Sequence, residues 1–219
     1  MSEPPTSIRR LPRGRHGLPR EQVIASQRER ILSSMAAAMA ENGYMRTSVA
    51  AILERAGVSR ETFYEQFRSK EDCFAAGYER AVQQLLACLE EAGAGGDEVD
   101  AGTRISRIFD AYLSYLADDP ASARLFLVEV FAVGSAAIAR RIELQKLFVD
   151  LIAGTLGART EAQVFACQAL AAAMSSMVTG RIADGDIEGL RALHAPLLDL
   201  VHRGGDLYGD RIVVTENGR

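Results

Sequence analysis

The sequence predicts an all-α protein, and three observations carry that expectation. Apolar residues recur at helical spacing along most of the 219 residues, and almost no stretch alternates apolar and polar with a period of two. Alanine, the strongest helix former, is abundant throughout. Capping residues and glycines fall where one periodic stretch stops and the next starts. At 48% hydrophobic and 25% charged residues the chain can bury a core, which excludes a disordered or low-complexity protein.

Residues 1–20, with Pro4, Pro5, Pro12 and Pro19, read as a flexible arm rather than regular structure. A first helix opens near Arg20 or Glu21, places Ile24, Ile31, Met35 and Met39 on one stripe, and stops at Asn42-Gly43. A short second helix, capped by Thr47 or Ser48, carries Val49, Ile52, Leu53 and Ala56 on one face and ends at Gly57. The third starts at the cap Ser59 and holds Phe63 and Phe67 four residues apart, and Ser69 caps a fourth that runs from Lys70 to about Ala92. Further helices are expected at 99–117, 121–133, 135–156, 160–183 and 187–202, giving about nine in all. The tail from Gly204 includes a short run, Ile212-Val213-Val214, that could be extended. The run Gly93-Ala94-Gly95-Gly96-Asp97 comes after a helix, not a strand, so it is a loop and not a dinucleotide fingerprint.

Charge is uneven. The net charge is −4, yet residues 1–20 carry Arg9, Arg10, Arg13, Arg15 and Arg20 against Glu3 alone. A basic arm on an acidic chain suits a polyanion, the alternative being a solvated end. Cys73, Cys88 and Cys167 are widely separated, so neither a disulfide framework nor a zinc site is expected, and the reading is a reducing cytoplasm. The basic N-terminus has no apolar signal core, and the stretch from Val164 to Val178 is interrupted by Gln168, Ser175 and Ser176, so no membrane association is expected.

The most informative segment is TSVAAILERAGVSRETFYEQFRSK, Thr47 to Lys70. Two short helices around Ala56-Gly57-Val58-Ser59 fit a helix-turn-helix, because glycine accepts the positive φ of a tight turn and serine caps the second helix. Val49, Ile52, Leu53, Val58, Phe63 and Phe67 would lock the pair together, leaving Ser59, Arg60, Glu61, Thr62, Tyr64, Glu65 and Gln66 outside. Ser59, Arg60 and Thr62, at the start of the third helix, are placed to read base edges. Tyr64, Gln66, Lys70 and the Thr47 or Ser48 hydroxyl can donate to phosphates, which positions the protein without specifying sequence. On spacing alone, an ordinary helical hairpin remains open.

Ala56-Gly57-Val58-Ser59, Thr62-Phe63-Tyr64, Phe67, Lys70 and Glu71, with the preceding Gly43-Tyr44 and Thr47-Ser48-Val49, closely resemble the N-terminal domain of the TetR family of transcriptional regulators. The resemblance spans residues 24–80. It implies a third helix in the major groove, phosphate contacts by Tyr64 and Lys70, a homodimer on a near-palindromic operator, and release from DNA by a small-molecule effector. Three features depart from the family pattern: Gln66 where histidine is common, Leu53 where a small alanine is usual, and the acidic Glu61 and Glu65 on the reading helix. Compensating positive charge would come from the arm.

The resulting organisation is an arm at 1–20, a helix-turn-helix domain at 21–69, a helical ligand-binding and dimerisation domain at 70–204, and a tail at 205–219. An apolar or amphipathic effector is expected among the later helices, with Tyr112, Tyr115, Phe131, Met174 and Met177 as lining and Arg124 and Glu129 as polar groups. The helix at 160–183, rich in small residues, should be buried nearly all round. The resemblance assigns it, with the helix after it, to the dimer contact, and a central helix inside one subunit is the alternative. No cofactor is expected. His194 and His202 are about two turns apart, too far to share a metal readily, and no nucleophile motif accompanies them, so an enzyme is disfavoured. A module that binds only proteins remains an alternative, separable by salt-dependent duplex binding.

Overall fold

A computed structural model describes residues 19–95 and 99–211, and every regular element among them is helical. The Ile212-Val213-Val214 run and the arm arginines Arg9, Arg10, Arg13 and Arg15 lie outside the described residues. The head consists of α1 (Arg20–Asn42), α2 (Val49–Ala56) and α3 (Arg60–Tyr64). From it α4 (Lys70–Gly93) runs into a body made of α5 (Ala101–Asp118), α6 (Pro120–Arg124), α7 (Val130–Val133), α8 (Ser135–Leu156), α9 (Glu161–Asp184), α10 (Ile187–Ala192) and α11 (His194–Gly204).

Side-chain caps set most of the boundaries. Ser48, Ser59, Ser69, Asp100, Asp119 and Asp186 each accept an N–H from the first turn of the helix they precede, and Thr160 with Gln163 forms a reciprocal capping box before α9. Of the two candidates before α2, the cap is Ser48.

Two expected helices are each divided. Between α6 and α7 the turn Leu125–Glu129 widens to π geometry. Between α10 and α11 the chain tightens at Leu193, where Pro196 has no N–H to offer the Ala192 carbonyl. The third helix is also shorter than its apolar spacing suggests: α3 stops at Tyr64, and Phe67 reaches the core from the turn beyond it.

One apolar core runs without interruption from Ile31 on α1 to Tyr208 beyond α11. In the head, α1 packs on α2 and α4, and Ile52, Phe63 and Phe67 are buried between them while Val49, Leu53 and Val58 pack at the edge. Ile24 leaves the expected stripe and is exposed, because the first turns of α1 precede its buried face, which begins at Ile31. Gly77 lets α4 approach α1 closely, since a Cβ there would stand 2.5 Å from the Met35 methyl. In the body, α5 packs on α4, α8, α10 and α11, while α9 packs on α8 and α10.

Candidate nucleic-acid interface and effector cavity

The helix-turn-helix is fixed from inside. Gly57 adopts the left-handed conformation, φ 63°, ψ 41°, that turns α2 toward α3. The Ser59 Oγ accepts the Thr62 N–H at 3.0 Å and lies 2.9 Å from the Thr62 hydroxyl, so both side chains stiffen the start of α3. Arg60 projects from that first turn and makes no ion pair within the described residues. Tyr64 is 48% exposed, its ring held edge-on to buried Phe63 at 5.3 Å. Arg68, to which the sequence pattern assigns no role, is exposed in the turn between α3 and α4 with its guanidinium unpaired among the described residues. Only its position beside Lys70 could have signalled it.

Two expected phosphate donors are differently employed. Thr47 is 2% exposed and its hydroxyl bonds the Ala38 and Gly43 carbonyls, which removes it as a surface donor and leaves Ser48 exposed as the cap of α2. The Lys70 ammonium donates to the Tyr44 carbonyl at 2.9 Å and the Thr47 carbonyl at 3.1 Å, and sits 4.0 Å from the Tyr44 ring centroid. Lysine has three N–H donors, so one remains for a phosphate while the other two hold the turn between α1 and α2. Gln66 is half-buried and its side-chain oxygen has no partner among the described residues.

That same turn is tied to the body. The Tyr44 N–H donates to Oε2 of Glu129 at 2.7 Å, and Glu129 is only 7% exposed. Arg124 Nε lies 3.3 Å from the other carboxylate oxygen, and Arg124 Nη1 donates to the Ala183 carbonyl near the end of α9. The Tyr44 hydroxyl donates to Glu71 at 2.9 Å, and burial together with this bond pushes the phenol's pKa well above its ordinary value. Glu129 and Arg124, expected beside the effector, instead join body to head.

Between α4, α5, α8 and α9 lies a half-open cavity of about 310 Å³, walled chiefly by leucines, Tyr112, Phe126 and Phe148. Such a size and lining fit a small apolar or amphipathic ligand. Of the expected lining residues, Tyr112 is on the wall, stacked on Phe148 with ring centroids 4.9 Å apart. The others are elsewhere. Tyr115 donates its hydroxyl to the Ala81 carbonyl, Met174 is fully buried in the core, Met177 is exposed, and Phe131 is 55% exposed under the Arg141 guanidinium. Aromatic and methionine content cannot reveal which side of a helix meets a void.

Expected burial of α9 holds for one side only. Cys167, Leu170, Ala171, Met174 and Val178 face the core, while Phe165 stands 70% exposed on the opposite side, with Val164 and Met177 exposed at the two edges of that face. By length and composition α9 would also suffice to cross a membrane, and it is the one such helix among the described residues. Among those residues no group of three or more His, Cys, Asp or Glu could hold a metal, and His194 is bonded to Ser106 across α11 and α5. All three cysteines are free thiols, and burial pushes the Cys73 pKa up to about 12.

A three-helix head with its turn and third helix capped this way, carried on a helical body with a cavity, has the helix-turn-helix architecture that places a reading helix in a DNA groove. Residues 31–76 match the family model described as bacterial regulatory proteins, tetR family. The solved structures agree in fold. A TetR-like transcriptional regulator from Rhodococcus sp. RHA1 is 21% identical with a TM-score of 0.67, covering 85% of this chain and 99% of that one. The transcriptional regulator FadR from Bacillus subtilis, in complex with stearoyl-CoA, is 22% identical with a TM-score of 0.68, covering 78% and 96%. FadR from Bacillus halodurans, a fatty acid degradation regulator, is 19% identical with a TM-score of 0.69, covering 80% and 93%. No curated protein matches the sequence. The head thus matches the tetR family of bacterial regulatory proteins over residues 31–76, and the chain as a whole shares the fold of TetR-like regulators.

Proposed function

We propose that the protein is a ligand-responsive repressor that binds a near-palindromic operator as a homodimer and leaves it when an apolar or amphipathic effector enters the cavity. One observation carries this reading. The Leu125–Glu129 turn supplies Phe126 and Leu127 to the cavity wall, and its last residue holds the Tyr44 N–H in the turn that positions α2. A ligand that displaces this wall therefore acts on the same turn as Lys70 and Thr47, and α4 carries a second connection. A coupling of about 1 to 3 kcal/mol lowers affinity roughly 5- to 150-fold.

Base reading falls to Arg60 and Thr62, with Ser59 capping them. Phosphate contacts fall to Ser48, Tyr64, Arg68 and the third donor of Lys70, and the arm arginines Arg9, Arg10, Arg13 and Arg15 add charge that Glu61 and Glu65 oppose on the α3 side. The exposed side of α9, with Phe165 and Met177, supports dimerisation, since an apolar helix face is stabilised by burial against a second copy. Two heads related by a two-fold axis need two half-sites. The organisation is then arm 1–20, head 21–69, sensor and dimer domain 70–204 and tail 205–219, in a protein that acts in the cytoplasm and catalyses no reaction. FadR from Bacillus subtilis holding stearoyl-CoA supports an effector with a long apolar part.

The test is selection of duplexes by the full-length protein, then anisotropy of the selected duplex against salt. Recovery of inverted repeats and a steep fall of affinity with salt are expected. Failure to enrich any sequence, with binding to protein partners alone, would overturn the reading in favour of an interaction module.

A further inference from the structure

The cavity is chemically polarised along its length. Near the Leu125–Glu129 turn its wall includes Arg141 and Ser175, and the Arg141 Nη2 donates to the Ser175 Oγ at 2.9 Å. The guanidinium also lies over the face of Phe131, 5.2 Å away. It has no carboxylate partner among the described residues. The contrast with its neighbour is informative: Arg140 is held by Glu79 at 2.5 and 2.8 Å and by Glu143 at 3.0 Å, while Arg141 turns into the cavity with its charge uncompensated. The positive charge reaches across the site, since it opposes the burial that pushes the Tyr112 pKa up to about 12. A half-buried guanidinium against an apolar wall loses hydration that a bound anion would offset.

At the far end the sign reverses. The cavity wall there includes Glu90 and Leu151, and α8 advances about 15 Å between Arg141 and Leu151. Leu144, Phe148 and Leu151 line the intervening stretch. An anion is repelled from the Glu90 end and attracted to the Arg141 end, and the wall between, chiefly leucine and phenylalanine with Gln145 as its one amide, suits an apolar chain.

We infer that the effector is an amphiphile whose anionic end is held by Arg141 and Ser175 and whose apolar chain lies along α8 toward Leu151. This rests on the cavity being the effector site, so the test separates the two statements. Decanoate, decanol and decanoyl-CoA are titrated calorimetrically into the full-length wild type, Arg141→Gln, Arg141→Lys and Leu144→Trp, with the fold of each variant checked by circular dichroism. Decanoate should bind wild type about tenfold or more tightly than decanol. Arg141→Gln should erase that preference while leaving decanol affinity unchanged, Arg141→Lys should retain part of it, and Leu144→Trp should abolish binding of both. If decanoyl-CoA is the tighter ligand and loses tenfold in Arg141→Gln, the anion at Arg141 is a phosphate of the CoA portion, and the inference stands. An unchanged acid-to-alcohol ratio in Arg141→Gln, with Leu144→Trp still blocking, would overturn the anion assignment and keep the cavity. Binding insensitive to Leu144→Trp, or no binding of any of the three, would overturn both.

Discussion

Removing the Glu129 carboxylate should loosen the joint between body and head. Its Oε2 accepts the Tyr44 N–H at 2.7 Å in a site 7% exposed, and its Oε1 faces Arg124 at 3.3 Å. A hydrogen bond to a charged group contributes about 1.5 to 3 kcal/mol, and a buried N–H left without a partner costs about 1 to 3. The two figures overlap, because both describe the same lost contact, so Glu129→Ala should destabilise the protein by about 2 to 4 kcal/mol. For a chain of this length that corresponds to a Tm lower by roughly 4 to 16 °C. Glu129→Gln keeps an acceptor for Tyr44 but turns an amide donor toward Arg124, so its loss should be about half as large. Urea denaturation measures this as a lower midpoint at constant slope. DNA affinity measured with and without effector supplies a second reading, in which Glu129→Ala should retain only a part of the wild-type release. An unchanged midpoint and full release in Glu129→Ala would refute the joint and leave α4 and the packing of α1 on α6 as the connections.

Three further outcomes are expected. Arg60→Ala and Thr62→Ala should change which bases are preferred, whereas Tyr64→Phe and Arg68→Ala should weaken all sequences alike; Lys70→Ala should weaken all sequences and also lower Tm, because two carbonyls in the α1–α2 turn lose their donor, as parallel selection and calorimetry would detect. Phe165→Glu on the open face of α9 should shift the protein to a monomer by light scattering and lower operator affinity. Arg140 donates to Glu79 and holds its carboxyl below the usual carboxylate range, so the bridge between α4 and α8 stabilises the fold fully above the ordinary glutamate value of about 4.3 and fades as pH falls through the lower folded value; Tm plotted against pH should flatten there in Arg140→Met. The bridge is partly solvated, so the effect should be small.

Helix boundaries were legible because their causes are local. Ser59, Ser69, Asp119 and Gly157 lie next to the helices they start or stop, and the Gly57 turn with Phe63 and Phe67 places the head on spacing alone. Contacts between distant parts of the chain were not legible. Nothing near Glu129 in sequence signals that it meets Tyr44, 85 residues away, nor that the Thr47 hydroxyl turns inward to the Ala38 carbonyl. The π turn is similarly hidden, since Leu125–Glu129 keeps ordinary helical apolar spacing. The cavity was the least legible feature. Tyr115 and Phe131 have the composition of a ligand wall, yet one is held against α4 and the other stands at the surface, while Arg141, on α8 beside Arg140, reads as one more surface charge. The small-residue character of α9 marked close packing, but only the fold divides it into a face for its own core and a face left open.

The central claim, that occupation of the body cavity controls the head, is tested most directly by anisotropy of a selected duplex at fixed salt with increasing decanoyl-CoA, in wild type and in the cavity-blocked Leu144→Trp. Wild-type affinity should fall roughly 5- to 150-fold as the cavity fills, with DNA weakening ligand binding by the same factor, and Leu144→Trp should hold the duplex with wild-type affinity and no response. Ligand binding that leaves duplex affinity unchanged in wild type, or that releases wild type and Leu144→Trp equally, would contradict the account.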